Sequence, residues 1–200
     1  MAELAPRGRR ENAFLIAAIG LPVVVVALFL VASAVPRWTV PPPGYDLVLR
    51  SDGGYTPAAQ HVVTTIRVSD GRVVAEFQPA APNSYPQKPT LYLFDHLTST
   101  AVEVPFDVPA SLAEGEKVRV EPVAALADRR VLDTTTAPDG YLFDHRYRRG
   151  PGIMGELFGM RRYENAAAIV KNGRVVRMGL PTPYSYSVQP VGWLAPPEHR

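Results

Sequence analysis

The hydrophobic positions fall into two patterns, one long run near the start of the chain and short alternating stretches after it. Over residues 13–35 no side chain is charged and only Ser33 is polar. A helix over these residues rises about 1.5 Å per residue and reaches roughly 34 Å, enough to cross a hydrocarbon core of about 30 Å. The pattern predicts a transmembrane helix at 13–35, which makes the lipid bilayer a partner of this chain.

The charges beside this run predict its orientation. Three arginines lie within residues 1–12, whereas Arg37 alone follows closely, beside Trp38, an aromatic residue typical of the membrane interface. Because positive residues stay on the cytoplasmic side, we expect a cytoplasmic N-terminus at 1–12 in an inner or plasma membrane, and a periplasmic or extracellular domain. The alternative is a secretory signal cleaved near the small residues 32–34, but the length of the run favours an uncleaved signal anchor.

Proline dominates the next stretch of the chain. Residues 36–44 hold four prolines and end at Gly44. Because proline fixes φ near its polyproline value, this composition favours an extended tether. We therefore expect a tether at 36–44, an exported β domain at 45–195 and a C-terminal tail at 196–200.

Two stretches carry the signature of β-hairpins. In the first, residues 62–69 and 72–78 alternate between apolar and polar side chains around Asp70-Gly71. In the second, Asn172-Gly173 separates two apolar stretches, 165–170 and 174–180, and Asn-Gly readily adopts a type I′ turn. Further strands are expected at 45–50, 91–95, 101–106 and 117–123. The predicted fold class is all-β and antiparallel, with one N-terminal helix outside it.

The chain also repeats short motifs. Tyr-Leu-Phe-Asp-His occurs at 92–96 and 141–145, and Gly-Arg-Val-Val occurs at 71–74 and 173–176. The two shifts are 49 and 102 residues. They correspond to one and two steps of a unit of about 50 residues, within the range of propeller blades and other repeated β units.

The stretches 69–74, 91–95 and 137–141 combine turn and strand signals. In this they resemble the WD-like blade repeats of periplasmic Tol-type β-propellers. The resemblance implies a propeller that serves as a scaffold for protein contacts. A closed propeller needs at least about four blades of some 40 residues, and residues 45–200 are too few for this or only just enough. An antiparallel sandwich or a compact open sheet therefore stays open beside propeller-like repeats.

Both copies of the pentapeptide end in an Asp-His pair. Carboxylate and neutral imidazole are ligands for divalent metals. Neighbouring side chains on a strand point to opposite faces, so a shared site would have to combine residues such as His96 and His145. The favoured interpretation is that the aromatic residues pack in the core and the Asp begins a turn, so no metal site is predicted.

The composition and the motifs of the sequence argue against several classes of function. The absence of Cys excludes disulfides, thiolate catalysis and Cys-ligated metals. The formal net charge of +2 is too small, without a clustered basic face, to indicate nucleic acid as a partner. Residues 150–155 match G-x-G-x-x-G, but they follow an arginine-rich stretch rather than a buried strand, which argues against nucleotide binding. No cofactor is expected.

One basic and apolar region could form a contact surface. Guanidinium groups bind phosphate and carboxylate bidentately, and Met with Phe offers an adaptable apolar face. Such a surface would suit an envelope protein or lipid headgroups. The alternative is a long connection whose apolar residues fold back on the core. The candidate residues are Arg146, Arg148, Arg149, Met154, Phe158, Arg161 and Arg162.

The sequence contains no local signature of a catalytic triad or carboxylate pair, so we identify no catalytic residue and expect a protein that is not an enzyme. The expected function is that of a single-pass membrane-anchored protein whose exported β domain mediates protein or envelope contacts. The alternative is an exported hydrolase or small-ligand-binding domain with a site near residues 150–160. That site would contain His145 or Glu156.

Overall fold

A computed structural model describes residues 8–52, 61–81, 86, 88–149, 164–181 and 187–195 of the chain. The chain divides into two compact units, Met1–Pro41 and Pro42–Arg200. The first unit holds a single helix and the second holds the β-sheets.

The helix α1 covers Gly8–Thr39. Its segment Ala18–Thr39 has a mean hydropathy of 2.7 and none of it is buried, so it is long and apolar enough to cross a membrane. The helix extends past the predicted end of the apolar run at residue 35. It passes through Pro36, whose carbonyl accepts a helical hydrogen bond from the Val40 N–H at 3.1 Å. Proline lacks an N–H of its own but its carbonyl can still accept, so the predicted tether begins with a last helical turn that ends at Thr39.

The second unit is built from antiparallel strands, as the hydrophobic alternation predicted. The strands are β1 (Leu47–Ser51), β2 (Val62–Ser69), β3 (Arg72–Pro79), β4 (Thr90–Asp95), β5 (Thr100–Val104), β6 (Arg119–Pro122), β7 (Val131–Leu132), β8 (Leu142–Arg149), β9 (Glu164–Lys171), β10 (Arg174–Arg177) and β11 (Val188–Leu194). In the described residues they form one five-stranded sheet, β5-β4-β1-β11-β7, and two three-stranded sheets, β10-β9-β8 and β2-β3-β6.

Both predicted hairpins are confirmed. Strands β2 and β3 pair in register around Asp70 and Gly71, whose φ angles are 51° and 72°. Strands β9 and β10 pair around Asn172 and Gly173, at 44° and 82°. Two successive positive φ angles define the type I′ turn, which matches the right-handed twist of the strands that it joins.

Strand β11 was not predicted, because Pro190 and Gly192 interrupt its apolar pattern. It nevertheless pairs with β1 along most of its length, and the register shifts between Val48 and Leu49. Val48 pairs with Gly192 and Leu49 with Pro190, so Val191 is the extra residue of a β-bulge. On the other side of β11, β7 pairs only with Trp193 and Leu194. Pro190 therefore lies beyond the stretch that β7 pairs.

The five-stranded sheet supplies residues to two separate hydrophobic clusters. Within β1, Leu47 and Leu49 belong to the first cluster and Val48 belongs to the second, as expected when successive side chains point to opposite faces. The first cluster also contains Ile169 of β9 and the second contains Phe77 of β3. Each three-stranded sheet thus shares a cluster with the five-stranded sheet.

The two copies of the repeated pentapeptide lie in different sheets. The aromatic residues of both copies pack in the first cluster: Tyr92 and Phe94 of β4 and Tyr141 are buried, and Phe143 of β8 packs partly buried against them. The copies differ in their last residues, because His96 enters a hydrogen-bonded group whereas His145 is exposed. The repeated sequence therefore reflects shared core packing.

Candidate functional site

Four segments meet where the first strand of the β unit begins. We call this region the tether end and define it as Asp46, the turn 95–99 between β4 and β5, the loop 127–130 and the turn 70–71 between β2 and β3. Main-chain bonds join three of these segments through β7 and β11. Val131 N donates to the Gly71 carbonyl at 2.8 Å, Leu194 N to the Asp46 carbonyl at 2.9 Å and Ala195 N to the Arg130 carbonyl at 2.9 Å. The segments come from distant parts of the sequence, and the sheets bring them together.

Asp46 is the centre of this region. One carboxylate oxygen accepts hydrogen bonds from His96 Nδ1 at 2.7 Å and from the His96 backbone N–H at 3.1 Å. The other oxygen accepts a hydrogen bond from Arg129 Nη2 at 3.0 Å. The Asp46 side chain is only 18% exposed, so solvent screens these charge-assisted bonds less than it would on an open surface.

The bond to Asp46 also selects the tautomer of the imidazole. A carboxylate can only accept, so the bond needs a proton on His96 Nδ1, and in the neutral tautomer Nε2 then carries the lone pair. An oriented imidazole of this kind can act as a base or as a ligand. The same bond joins β1 to the β4–β5 turn, which gives it a structural role as well.

Asp95 has a different structural role, in the turn between β4 and β5. Its Oδ1 accepts the backbone N–H of Leu97 at 2.7 Å and that of Thr98 at 3.4 Å, so the Asp begins a turn as the sequence interpretation expected. These bonds, first of all the one from Leu97, hold the pKa of Asp95 below its ordinary value. Burial acts in the opposite direction and is the smaller effect.

Asp46, Asp95 and His96 offer ligand atoms that lie within 4.8 Å of one another. These residue types can bind a divalent metal, but both Asp46 oxygens, Asp95 Oδ1 and His96 Nδ1 already have partners. Asp46 accepts bonds from His96 and from the Arg129 cation, and Asp95 caps its own turn. A metal would have to displace these bonds beside a fixed positive charge, so the geometry favours a hydrogen-bonded group over a metal centre.

A charged cleft adjoins this group, with a volume of about 630 Å³. Gly71 brings its two walls together, because a Cβ on this glycine would lie 3.6 Å from Cγ of Arg130. Among the described residues, Arg72, Arg130, Asp70 and Asp128 form no ion pair within 4 Å, which leaves their charges available to a ligand. The cleft is lined by Asp70, Gly71, Arg72, Ala127, Asp128, Arg129 and Arg130.

A second cleft of about 360 Å³ lies beside β6 and is more apolar. Phe77, Phe106 and Val123 form part of its lining, with Asp107 and Glu121 adding negative charge. Glu121 is already paired with Arg119. Nothing in its lining resembles a catalytic group held beside a base.

The contact surface predicted from the sequence is described only in part. Arg146, Arg148 and Arg149 lie in β8, an edge strand of its sheet, where Arg149 is opposite Glu164. The other four residues of that surface, Met154, Phe158, Arg161 and Arg162, lie outside the described residues. The surface as a whole stays a prediction.

Sequence reasoning missed the group around Asp46. His96 stands out in the sequence as part of a repeated motif, but its partner Asp46 is 50 residues away and Arg129 is 83 residues from Asp46. The signal that could have found the group is the difference between the two copies of the pentapeptide. Only the first copy ends where a strand stops and a turn begins.

No protein-family model, curated protein or solved structure matches this chain. Its function has to be inferred from the helix, the sheets and the two clefts themselves.

Proposed function

We propose that this chain is a single-pass membrane protein whose β unit lies outside the cytoplasm and mediates contacts in the cell envelope. The observation that carries the proposal is the segment Ala18–Thr39, which is apolar and wholly unburied and is joined to a separate compact unit, Pro42–Arg200. An unburied apolar helix of this length is very unfavourable in water and favourable in lipid. The hydrocarbon core of a bilayer is therefore the environment in which this helix is expected to be stable.

The charge distribution supports an N-terminus in the cytoplasm, and the length of the apolar segment Ala18–Thr39 supports a signal anchor that is not cleaved. Residues 1–12 contain three arginines, and Arg37 is the basic residue that closely follows the apolar segment. The positive-inside rule then directs the β unit to the periplasm or the cell exterior. A cysteine-free domain held by two apolar clusters needs no disulfide on that side.

Within the β unit, sandwich packing accounts for the sheets better than propeller blades do. Each three-stranded sheet shares a hydrophobic cluster with the five-stranded sheet. Propeller blades would repeat one sheet around an axis, whereas the two pentapeptide copies occupy β4 of the five-stranded sheet and β8 at the edge of a three-stranded sheet. This architecture offers edge strands and charged clefts as contact surfaces.

Contact formation is favoured over catalysis by the organisation of the tether end. The imidazole of His96 is oriented by Asp46, but the same carboxylate also holds Arg129, so the group ties three segments together. The alternative, a hydrolase or ligand-binding domain near residues 150–160, needs His145 or Glu156 in a pocket, and Glu156 lies outside the described residues. His145 is exposed and lines neither the charged cleft nor the apolar cleft beside β6. That alternative stays a prediction.

A reporter enzyme that is active only after export, fused after Arg200, tests the topology. We expect activity outside the cytoplasm, and we expect the protein to stay in the membrane pellet after alkaline carbonate extraction. The control is Val25→Arg with Leu28→Arg, because each arginine at a helix centre costs about 2.5 to 3.5 kcal/mol on insertion. This variant should lose membrane integration. Reporter activity confined to the cytosol would disprove the placement.

Crosslinking in intact membranes tests the contact function. A specific partner of the full chain should be lost when Arg146, Arg148 and Arg149 are all changed to Gln. It should be retained in Arg177→Gln, which removes one charge from an exposed position on β10. If no partner is recovered and the purified protein hydrolyses a substrate, the enzymatic alternative replaces this proposal.

A further inference from the structure

The charged cleft of the tether end carries unpaired charges of both signs. The same cleft is lined by two arginines and two aspartates: Arg72, Arg130, Asp70 and Asp128. Among the described residues, none of these four forms a salt bridge. Arg129 also lines the cleft, while its Nη2 bonds Asp46 at 3.0 Å. A ligand complementary to this lining carries an oxyanion and a cationic hydrogen-bond donor close together.

We propose that the cleft binds a phosphoethanolamine group, in which a phosphate ester and a primary ammonium are two carbons apart. Arg72 and Arg130 bind the phosphate oxygens, because guanidinium groups match this geometry bidentately. Asp70 and Asp128 accept hydrogen bonds from the ammonium. A quaternary ammonium cannot donate such bonds, so phosphocholine binds more weakly.

The fold holds two of the three arginines that line this cleft. Arg130 packs its stem on Gly71, whose carbonyl accepts the Val131 N–H at 2.8 Å. Arg129 is fixed by Asp46, which is in turn bonded to His96. Holding Arg130 in this way before binding reduces the entropy lost when the phosphate arrives.

The proposed membrane tether indicates where the phosphoethanolamine group comes from, and this part of the inference rests on the proposed function. Seven residue steps separate Thr39, the last residue of α1, from Asp46. A fully extended chain spans at most about 3.6 Å per residue, so these steps cover no more than about 25 Å. Aminophospholipid headgroups of the leaflet where α1 ends are then the nearest supply of phosphoethanolamine.

The first experiment measures binding without a bilayer. The full chain in maltoside detergent is titrated calorimetrically with O-phosphoethanolamine, phosphocholine and inorganic phosphate. We expect phosphoethanolamine to bind most tightly. Arg72→Gln with Arg130→Gln should weaken binding by about tenfold or more, because two charge-assisted contacts are lost. Arg177→Gln should bind as the unchanged protein does, and Asp128→Asn should reduce the preference over phosphocholine.

Folding and ligand source are controlled separately. Arg72→Lys with Arg130→Lys keeps the charge but not the bidentate geometry, so it should retain the circular dichroism spectrum and bind with intermediate affinity. In nanodiscs, amide exchange at residues 70–72 and 127–130 should slow when phosphatidylethanolamine is added to phosphatidylcholine.

The results of these experiments can disprove the binding site and the proposed function independently of each other. Equal affinity for all three soluble probes, or none, overturns the site and leaves the export reporter result untouched. Binding of soluble phosphoethanolamine with no effect of phosphatidylethanolamine in nanodiscs overturns the lipid as the source. A cytosolic reporter with intact phosphoethanolamine binding disproves the membrane topology but keeps the site.

Discussion

At the scale of single residues, Gly192 has the closest packing among the glycines of the β unit that the structure describes. A Cβ at this position would lie 2.6 Å from Val131 Cγ1 and 2.7 Å from the Leu132 carbonyl oxygen. The carbonyl belongs to the backbone of β7 and cannot move aside without breaking the pairing with β11. Glycine is therefore required here by the close approach of two strands.

We predict that Gly192→Ala destabilises the protein by about 1 to 3 kcal/mol, the usual cost of overpacking. Gly179→Ala is the matched control, since its Cβ would meet Ser99 and Thr100 at ordinary distances of 3.5 Å and 3.7 Å. The control should stay within about 0.5 kcal/mol of the unchanged protein. Urea unfolding measures both, and equal losses in the two variants would contradict this account of β11.

Asp95 gives a pH-dependent prediction. Its folded pKa is lowered, chiefly by the Leu97 N–H, so its contribution to stability is full above the unfolded pKa of about 3.9. The contribution is lost as the pH falls through the lower, folded pKa. Asp95→Asn should therefore be less stable than the unchanged protein at neutral pH, and the difference should shrink in acid.

Urea midpoints at neutral pH and below pH about 3 measure this effect. Asp133→Asn serves as the control, because Asp133 is exposed and no hydrogen bond or ion pair of its side chain is found in the described residues. A difference for Asp95→Asn that stays constant with pH would mean that the carboxylate charge has no part in holding the turn.

The candidate site could be predicted from the sequence only to a small extent, for a reason visible in these residues. The Asx turn at Asp95 is local, and the pattern Asp-His after an apolar strand was enough to suggest it. The bonds of Asp46 to His96 and Arg129 depend on the register of β1 beside β4 and on the loop before β7. No spacing along the chain encodes that register.

At the scale of secondary structure, the junction between the tether and β1 depends on one side chain. Asp139 Oδ2 accepts the Gly44 N–H at 2.7 Å, while its Oδ1 accepts the Tyr141 N–H at 3.3 Å. Lys171 of β9 also donates to the Asp139 carbonyl. The turn before β8 thus holds the residue that leads into β1.

We predict that Asp139→Ala loosens this junction without unfolding the sheets. Amide exchange at Gly44 should accelerate by about tenfold, as expected for the loss of a charge-assisted bond. Exchange in β1 and β4 should be nearly unchanged, and Asp133→Ala should have no effect at Gly44. Uniform acceleration across the sheets would show instead that Asp139 supports the whole β unit.

The same scale shows which elements a sequence can predict. The hairpins β2–β3 and β9–β10 were predicted because Asp70-Gly71 and Asn172-Gly173 join neighbouring strands through local turns. Strand β7 is only two residues long and β11 contains a bulge, so neither has a clear period of two. Both exist because they pair with strands far away in the sequence.

At the scale of the whole molecule, the two units differ in where their apolar side chains lie. The β unit buries two hydrophobic clusters of its own, whereas Ala18–Thr39 buries nothing. The free energy of unfolding of the β unit should therefore depend little on α1. Removing α1 should change where the protein is found and leave the sheets intact.

The last prediction is a consequence of this independence. A fragment of residues 42–200 should be soluble without detergent and should unfold at nearly the same urea concentration as the full chain in micelles. Of the two tryptophans only Trp193 remains in it, and this side chain is fully buried in the first cluster. Its fluorescence should be blue-shifted in the fragment and move to the red in one cooperative transition. As a control, Leu49→Ala should lower the midpoint, since truncating a buried leucine to alanine costs about 2 to 5 kcal/mol. If the fragment precipitates, or if its tryptophan emission resembles that of a tryptophan in water, α1 is part of the fold of the β unit. The proposal that α1 packs in a membrane would then be wrong.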